Sequence, residues 1–480
     1  MSGEITCDIC IIGAGSGGLS VAAGAAQMGA DVVLIEKGKM GGDCLNYGCV
    51  PSKALLAAGH AAQNARRADR FGIKTGKVSA NGKKVFGHVR DVIAAIAPND
   101  SVERFEGFGV NVIEGEGRFV GPDTVQVGTQ KIVAQKFVIA TGSSAFVPPI
   151  EGLDGLSVLT NENVFELDAI PDHLIVVGGG PIGCELAQAF RHLGSNVTVL
   201  EMFKIMPKDD PELVRVVRNR LLEDGVMLHE GIRVVRAQGT PEAPEIVVVE
   251  NAGDEDEREH IIQGSHLLVA AGRRPNVMGL GLEHAGVNFS PKGIEVDKRL
   301  RTSNKRVFAI GDVAGGFQFT HVAGYHAGIV IRNALFKLPA NAKLDHVPWV
   351  TYTDPELSQA GLTESMARDK YGDAIRVLSW EFAENDRARA EGETEGLIKV
   401  VTTAKGKILG AGIAGPCAGE LIAPWVLAME QSLKIGAMAS TIAPYPTLGE
   451  VSKRAAGSFY TASLFSERTR KIVRFLLKYF

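Results

Sequence analysis

Apolar runs of strand length alternate with glycine-rich turns and helix-like stretches along much of this chain. Near the N-terminus the mainly apolar residues 7–12 are followed by a glycine-rich turn, an alanine-rich segment and a second mainly apolar run, DVVLIE. Later runs of similar length are LIVV, RVFAI, GLIKVVTT and KILGAGIAG. Strands that alternate with helices are typical of parallel sheets covered by helices. The pattern therefore predicts an α/β fold.

One glycine pattern occurs twice, each time directly after a predicted strand. Gly13, Gly15 and Gly18 fit G-x-G-x-x-G, and Glu36 ends the next strand, 23 residues after the first glycine. Such glycines let a pyrophosphate approach a helix N-terminus, and the carboxylate accepts a hydrogen bond from a ribose hydroxyl. A single copy is weak support, but two copies with the acid at the same offset predict two dinucleotide sites, which transfer of hydride between dinucleotides requires. The second copy consists of Gly178, Gly180, Gly183 and Glu201.

The segment GGDCLNYGCVPSKALL brings two thiols to the start of a predicted helix. Because proline suits the first helical position, Pro51 puts Cys44 and Cys49 at the entrance of that helix. A disulfide between them requires irregular backbone, which Gly48 can supply. The helix N-terminus and Lys53 both lower the pKa of the Cys49 thiol and favour the thiolate. Two cysteines that merely pack in the core are the alternative.

Composition excludes several classes of protein. The chain of 480 residues is long enough for three or four domains, and its net charge of −4 gives no electrostatic reason to expect a nucleic-acid partner. The N-terminus does not resemble a signal peptide, and no apolar run reaches about 18 residues. Six cysteines are too few for a secreted disulfide scaffold. We therefore expect a cytoplasmic enzyme with a catalytic disulfide and no metal site.

The cysteine segment and the two glycine patterns, together with ATGSSA, AIGDVAGG and VTYTDPELSQAGLTE, resemble the class I pyridine nucleotide-disulfide oxidoreductases. That family includes dihydrolipoyl dehydrogenase, glutathione reductase and mercuric reductase. The resemblance implies two Rossmann-like domains, for FAD and NAD(P), and an α+β C-terminal dimerisation domain. It also implies a homodimer whose active site is completed by the partner subunit. The expected domains are an FAD domain at 1–150, an NAD(P) domain at 151–278, a central domain at 279–345 that returns to the FAD domain, a dimerisation domain at 346–463 and a basic tail at 464–480.

The resemblance also implies roles for individual residues. FAD would be held by the first set of glycines with Glu36, Lys53, Gly117, Thr141, Gly142, Asp312 and Thr320. The nicotinamide cofactor would be held by the second set of glycines with Glu201 and Gly272.

Further roles concern the redox centre and the choice of cofactor. We interpret Cys49 as the thiolate beside the flavin and Cys44 as the thiol that exchanges with substrate, and we expect Lys53 to pair with Glu185 near the flavin. Because Glu201 would repel a 2′-phosphate, NADH is favoured over NADPH, although two lysines follow closely. These lysines are Lys204 and Lys208.

One position departs from the family's disulfide-reducing members, which carry His-Pro-Thr near the C-terminus and a glutamate five residues after the histidine. Here the segment is APYPTLGE, so Tyr445 replaces the histidine while Glu450 is retained. A phenol, with an ordinary pKa of about 10, is a poor base at neutral pH. Fast oxidation of dihydrolipoamide is therefore not expected. Tyrosine resembles mercuric reductase, yet no cysteine follows Cys417, and that enzyme uses a C-terminal cysteine pair.

The final segment, LFSERTRKIVRFLLKYF, has a basic and an apolar face when it is drawn as a helix. We favour a helix that caps its own dimer, with weak contact to an anionic membrane surface as the alternative. The basic face contains Arg470, Arg474 and Lys478, and the other face contains Ile472, Val473, Leu476 and Phe480.

Three hypotheses follow from these features. The first is an FAD-dependent, NAD(P)H-linked, dihydrolipoyl dehydrogenase-like oxidoreductase that passes electrons through the Cys44–Cys49 disulfide to a small-molecule or protein-borne disulfide. The second is a mercuric reductase-like enzyme that reduces a metal ion or another electrophile and uses Tyr445. The third is an electron-transfer flavoprotein that docks on a membrane surface through its tail.

Overall fold

A computed structural model describes residues 3–250 and 258–480 of the chain, which divide into two compact units. The first unit comprises the described residues of Met1–Gly178, Ala189–Leu200 and Ile232–Lys343. The second comprises Gly179–Gln188, Glu201–Gly231 and Leu344–Phe480. Both units combine helices with sheets, which confirms the predicted α/β class.

The helices and strands follow one another along the chain as follows. Residues up to 178 form strands β1 (Glu4–Ile12), β2 (Val32–Glu36), β3 (Val110–Glu114), β4 (Gly117–Gly121), β5 (Thr124–Val127), β6 (Gln130–Ile139), β7 (Ser143–Ala145), β8 (Val158–Leu159) and β9 (His173–Val177), and helices α1 (Ser16–Gln27), α2 (Gly42–Asn46), α3 (Cys49–Arg66), α4 (Gly82–Ile96) and α5 (Val102–Gly107). Residues 179–343 form strands β10 (Asn196–Glu201), β11 (Met227–Glu230), β12 (Ile232–Thr240), β13 (Ala243–Glu250), β14 (Arg258–Gln263), β15 (His266–Val269), β16 (Arg273–Pro275), β17 (Phe289–Ser290), β18 (Gly293–Ile294) and β19 (Val307–Ala309), and helices α6 (Pro181–Leu193), α7 (Pro211–Glu223) and α8 (Thr320–Ala334).

The C-terminal part of the chain continues this numbering. Its strands are β20 (Pro348–Thr351), β21 (Glu356–Gly361), β22 (Ile375–Glu381), β23 (Leu397–Thr403) and β24 (Ile408–Gly415), and its helices are α9 (Glu364–Tyr371), α10 (Asp386–Glu391), α11 (Ala418–Leu421), α12 (Ala423–Glu430), α13 (Ile435–Ser440), α14 (Glu450–Leu464) and α15 (Glu467–Tyr479). Short 3₁₀ helices lie at Ala68–Phe71, Ala97–Asp100, Leu153–Gly155, Val164–Glu166, Gly311–Ala314 and Phe382–Glu384.

The largest sheet of the first unit contains the strands that flank the first glycine turn. Its order is β3-β2-β1-β6-β5-β4, with β19 beside β6. Strand β1 runs parallel to β2 and β6, and β19 runs parallel to β6. Successive residues of a strand point to opposite faces. Ile11 therefore joins a core with residues of α1 and α8, whereas Ile12 joins one with residues of β4 and β5. The sheet is buried on both sides.

A second parallel sheet follows the same plan in the first unit. Strands β10, β9, β15 and β8 lie in that order and are paired in parallel. Apolar residues of these strands share a core with residues of β12 and β13, which form an antiparallel sheet with β14. Strand β16 does not extend the second sheet, because it pairs with β7, which follows the first sheet. The chain therefore returns from the second nucleotide pattern to the first.

The second unit contains an antiparallel sheet in the order β20-β21-β24-β23-β22. The segments GLIKVVTT and KILGAGIAG form β23 and β24, so these predicted strands are confirmed. Trp425 and Phe382 are among the side chains that fill the core between this sheet and its helices.

The last helix, α15, differs from its neighbours because none of its side chains is buried. Over the described part of the chain, no helix combines the length and the apolar character that crossing a membrane would require.

Candidate redox centre and dinucleotide sites

The first glycine turn is packed too closely to admit side chains at two of its positions. Gly13 has a φ of +105°, and a Cβ there would collide with the carbonyl oxygen of Ala140. A Cβ on Gly18 would collide with the carbonyl oxygen of Gly13. Glycine is therefore required for β1 and α1 to meet, independently of any ligand.

The carboxylate of Glu36 is fixed by backbone donors beside this turn. Its Oε2 accepts a hydrogen bond from the N–H of Ala14 at 2.6 Å, and its Oε1 accepts one from Gly38 at 2.7 Å. The residue that precedes α1, Gly15, offers no side chain to cap the helix. The first N–H groups of α1 are thus left for an anion, which fits the pyrophosphate of a dinucleotide.

The second glycine pattern repeats these contacts. The N–H of Gly178 donates to the carbonyl of Leu200 at 2.9 Å, as that of Gly13 donates to Ile35 at 2.8 Å. Oε2 of Glu201 accepts from the N–H of Gly179 at 2.6 Å. A Cβ on Gly180 would meet no atom within 4 Å. The duplication seen in the sequence is therefore also a duplication of hydrogen bonds.

The first cysteine lies on a short helix that packs against the first glycine turn. The N–H of Gly41 donates to the carbonyl of Ala14 at 3.0 Å. A Cβ on Gly42 would lie 2.7 Å from the Cα of Gly15, so α2 and the turn touch through glycines. A side-chain hydrogen bond from Ser16, the first residue of α1, reaches the sulfur of Cys44.

The second cysteine begins helix α3. The predicted start at Pro51 is wrong, because the helix starts two residues earlier, at Cys49. Proline is accepted there because N–H groups of the first helical turn have no intrahelical partner to lose. Gly48 precedes the helix with φ −121° and ψ −110°, and a Cβ there would lie 2.8 Å from Oδ2 of Asp43.

The two cysteines are not joined by a disulfide in this structure, and their pKa values are shifted in opposite directions. A hydrogen bond from Cys44, a second from Thr320 and the positive charge of Lys53 lower the pKa of Cys49 to about 6. The Thr320 hydroxyl lies 3.5 Å from the Cys49 sulfur. The hydrogen bond to Cys49 and burial raise the pKa of Cys44 well above its ordinary value. At neutral pH the pair therefore consists of one thiolate, at Cys49, and one thiol.

A polar network that the sequence did not reveal holds the cysteine segment in position. The guanidinium of Arg273 lies 3.1 Å from the carboxylate of Asp43 and donates to the Ser143 hydroxyl at 2.8 Å. That hydroxyl donates to Asp312 at 2.6 Å. Burial raises the pKa of Asp312, although the Ser143 hydrogen bond and Arg273 oppose this shift. Asn161 also donates to Asp43, at 3.1 Å.

The turn that contains Thr141 and Gly142 is tied to the AAGRRPN segment. The hydroxyl of Thr141 donates to the carbonyl of Asn276 at 2.8 Å, and the Asn276 amide donates back at 2.9 Å. Gly272, which we expected to bind the nicotinamide cofactor, accepts a hydrogen bond from Phe146 at 2.9 Å. Gly142 and Gly272 have φ values of +66° and +125°, which only glycine adopts readily.

Gly117 and Glu185, two further residues of the predicted site, lie on a strand and on a helix outside the glycine turns. Gly117 lies on β4, where a Cβ would lie 3.2 Å from Cγ2 of Ile35. Glu185 is a buried residue of α6, and its Oε1 accepts from the N–H of Tyr352 at 2.9 Å. The expected pairing of Glu185 with Lys53 stays a prediction.

Tyr445 lies on an exposed loop before α14, the helix that starts at Glu450. Its hydroxyl donates to Asp386 at 2.9 Å, and its side chain is 69% exposed. The neighbouring carboxylate raises the pKa of the Tyr445 phenol. Tyr445 is therefore a hydrogen-bond donor rather than a base near neutral pH.

Two family models match this chain. The model described as "Pyridine nucleotide-disulphide oxidoreductase" matches residues 7–327, and the model of that family's dimerisation domain matches residues 347–456. The chain belongs to this family of oxidoreductases. Its members are FAD-dependent enzymes that act on sulfur groups, and the dimerisation domain indicates a homodimer.

The proteins that this chain resembles include both mercuric reductases and dihydrolipoyl dehydrogenases. A mercuric reductase from Bacillus cereus is 36% identical over 460 residues, which cover 95% of this chain and 72% of the relative. A dihydrolipoyl dehydrogenase from Bacillus subtilis is 34% identical over 455 residues, covering 93% and 97%. The HOCl-induced flavoprotein disulfide reductase RclA from Escherichia coli, solved as a Cu(II) complex, has a TM-score of 0.83, with 27% identity and coverage of 94% and 99%.

The residues of the first glycine turn fit the FAD of this oxidoreductase family. The turn excludes side chains, presents uncapped N–H groups of α1 and fixes the Glu36 carboxylate at the adjacent strand end. In the described ranges, no group of three or more His, Cys, Asp or Glu side chains is arranged to bind a metal ion.

Proposed function

We propose that this chain is an FAD-dependent, NADH-linked reductase that uses the Cys44–Cys49 pair to reduce a small-molecule or protein-borne disulfide. The observation that carries this proposal is the pair itself, with a thiolate-forming Cys49 on a segment packed against the first glycine turn. FAD held at the first glycine turn would supply the chemistry that connects hydride from a reduced nicotinamide to reduction of a disulfide. We also propose that the enzyme works in the cytoplasm.

The two sulfurs have complementary tasks in this proposal. In the reduced pair, Cys44 attacks the acceptor disulfide as its proton passes to the hydrogen-bonded sulfur of Cys49, and one acceptor thiolate leaves. Cys49 then gives up its proton and attacks Cys44, which forms the Cys44–Cys49 disulfide and releases the second acceptor thiolate. The acceptor gains two electrons and, after protonation, becomes two thiols. Thr320 supports the second attack, because its hydroxyl stabilises the Cys49 thiolate that displaces the acceptor from Cys44.

Roles for the remaining predicted residues complete the proposal. FAD would be bound by residues of the 1–150 and 279–345 segments, the nicotinamide cofactor by 151–278, and dimerisation would use 346–463. Lys53 would pair with Glu185, and Glu450 would join Tyr445 at the acceptor side of the partner's redox centre. The residues proposed for the nicotinamide cofactor are Gly178, Gly180, Gly183, Glu201 and Gly272.

The preference for NADH rests on Glu201. Its two carboxylate oxygens accept from the N–H groups of Gly179 and Phe203, at 2.6 and 2.9 Å, so the charge is fixed at the end of β10. A fixed carboxylate repels a 2′-phosphate and accepts a hydrogen bond from a 2′-hydroxyl.

An anaerobic titration of the purified holoenzyme with NADH tests the central role of Cys49. We expect a long-wavelength absorbance band from a thiolate close to the flavin. The Cys49→Ser variant should lack this band at every stage, whereas Cys44→Ser should show it before NADH is added, because its Cys49 cannot form the disulfide and stays a thiolate beside the oxidised flavin. If the wild-type enzyme shows no band, or if Cys49→Ser retains it, the proposal is wrong.

A reductase of metal ions or other electrophiles is a second candidate, and the environment of Tyr445 favours it. A phenol bound to Asp386 cannot take up the proton that histidine handles in dithiol exchange. The test is NADH oxidation with Hg²⁺, Cu²⁺, quinones, glutathione disulfide and lipoamide in wild type, Tyr445→Phe and Tyr445→His. Metal-dependent turnover that Tyr445→Phe reduces would favour this candidate. Full activity of Tyr445→Phe with every metal would reject it.

A further inference from the structure

The C-terminal helix α15 exposes most of its apolar side chains on one face. The apolar side chains of this face are between 47% and 81% exposed, although side chains of their type are usually buried. They fall on one side of the helix, because their spacing follows the helical period. These residues are Ile472, Val473, Phe475, Leu476, Leu477 and Tyr479.

The opposite side of α15 is strongly basic. The tail contains five Lys and Arg residues and a single acidic residue, Glu467, so its net charge is +4. Because the whole chain has a net charge of −4, the rest of the chain carries −8. Four of the basic residues lie together on the polar side of the helix. They are Arg470, Lys471, Arg474 and Lys478.

The family's dimerisation domain does not account for this face. The matching family model ends at residue 456, before α15 begins at Glu467. An apolar face covered by a second copy has no need of a polar side on which four basic residues face a single acidic one, Glu467, which lies 3.8 Å from Arg470. A polar side of this kind is what an anionic surface attracts, and the remaining negative chain would be repelled by such a surface.

We propose that α15 docks the enzyme on an anionic lipid surface. The helix would lie in the plane of the interface, with its apolar face below the headgroups and its basic side chains at the lipid phosphates. Its 13 residues span only about 20 Å, which suits a helix on the surface of a bilayer rather than across it. This docking goes beyond the redox function and does not depend on the identity of the acceptor.

Flotation of the FAD-loaded enzyme with vesicles tests the proposal. Vesicles of phosphatidylcholine alone are compared with vesicles that also contain phosphatidylglycerol. We expect flotation only with the anionic vesicles, and none after deletion of residues 464–480. Replacing three basic residues with glutamine should weaken binding about 100-fold, since each contributes a factor of about five. This variant is Arg470→Gln, Arg474→Gln and Lys478→Gln.

A matched variant removes the same charge elsewhere on the surface. Lys74→Gln, Lys77→Gln and Lys83→Gln alter three exposed residues of the first unit and should bind anionic vesicles as wild type does. No flotation of wild type with anionic vesicles, or equal loss in both triple variants, would overturn the proposal. A deletion variant that light scattering shows to be monomeric would assign the apolar face to a second copy and would also overturn it. Flavin absorbance of each variant verifies that it is folded.

Discussion

The two glycine turns share one framework but are followed by different chemistry. In each turn, the N–H after the first glycine donates to a glutamate at the end of the next strand, at 2.6 Å. After Glu36, the chain returns to the first turn and carries Cys44 and Cys49 with it. After Glu201, it leads instead to Met202 and Phe203, which are 56% and 66% exposed. The two turns thus share the same hydrogen bonds, and only the first is followed by a segment that brings two cysteines back to it.

The comparison also separates two reasons for having glycine. In the first turn, Gly18 lacks a side chain because the backbone of Gly13 occupies that space. In the second turn, a Cβ on Gly180 would meet no protein atom within 4 Å. The fold therefore explains Gly18, whereas packing gives no reason for Gly180, as expected if a ligand comes close to the backbone there.

The largest effect should come from substituting these two glycines by alanine. Gly18→Ala forces β1 and α1 apart, which should cost about 3 kcal/mol of the free energy of unfolding and release most of the bound flavin. Gly180→Ala should leave flavin content and thermal stability unchanged and raise the KM for NADH. Flavin-to-protein absorbance ratios, thermal melts and steady-state kinetics measure these quantities. Equal loss of flavin in both variants would remove the distinction between a glycine required by packing and a glycine that packing leaves free.

A second prediction concerns removal of the negative charge from each of the two equivalent glutamates. Glu201→Gln keeps an oxygen acceptor for Gly179 but removes the negative charge, so kcat/KM for NADPH relative to NADH should rise about tenfold, as expected for a charge repulsion of about 1–2 kcal/mol. Glu36→Gln is the matched control and should leave this ratio unchanged while it weakens FAD binding. A ratio that moves equally in both variants would show that the second turn does not select the nicotinamide cofactor.

The smallest predicted effect is a shift in the pKa of Cys49, which lies on the segment that follows Glu36. Because the pKa of Cys49 is about 6, its alkylation by iodoacetamide in the reduced enzyme should slow as the pH falls through that value. Thr320→Val removes a hydrogen bond that lowers this pKa, so the decline should begin at a higher pH. Thr75→Val, which alters an exposed residue, should leave the profile in place. An unchanged profile in Thr320→Val would show that the hydroxyl does not stabilise the thiolate.

Local patterns in the sequence were sufficient to predict the glycine turns, the glutamates and the cysteine pair. Each depends on residues close together in the chain, where spacing has a direct physical meaning. The start of α3 was misplaced because proline fits any position of the first helical turn, so Pro51 does not define the boundary.

Contacts between distant segments could not be predicted in this way. Arg273 reaches Asp43 and Ser143, and Thr320 reaches Cys49 across 271 positions of sequence. No periodicity links such residues, since the folding of the sheet alone brings them together. The two arginines of AAGRRPN are visible in the sequence as charged residues that need partners. The sequence does not show that β16 pairs with β7, which is what brings Arg273 to its partners.

Differential alkylation of the cysteines tests the central claim most directly. The oxidised holoenzyme is treated with iodoacetamide before and after anaerobic addition of NADH, and labelled peptides are quantified by mass spectrometry. Cys417, an exposed free thiol, serves as the internal control and should be labelled in both samples. The account predicts that Cys44 and Cys49 become labelled only after NADH is added. Labelling of both before NADH, or of neither afterwards, would contradict it.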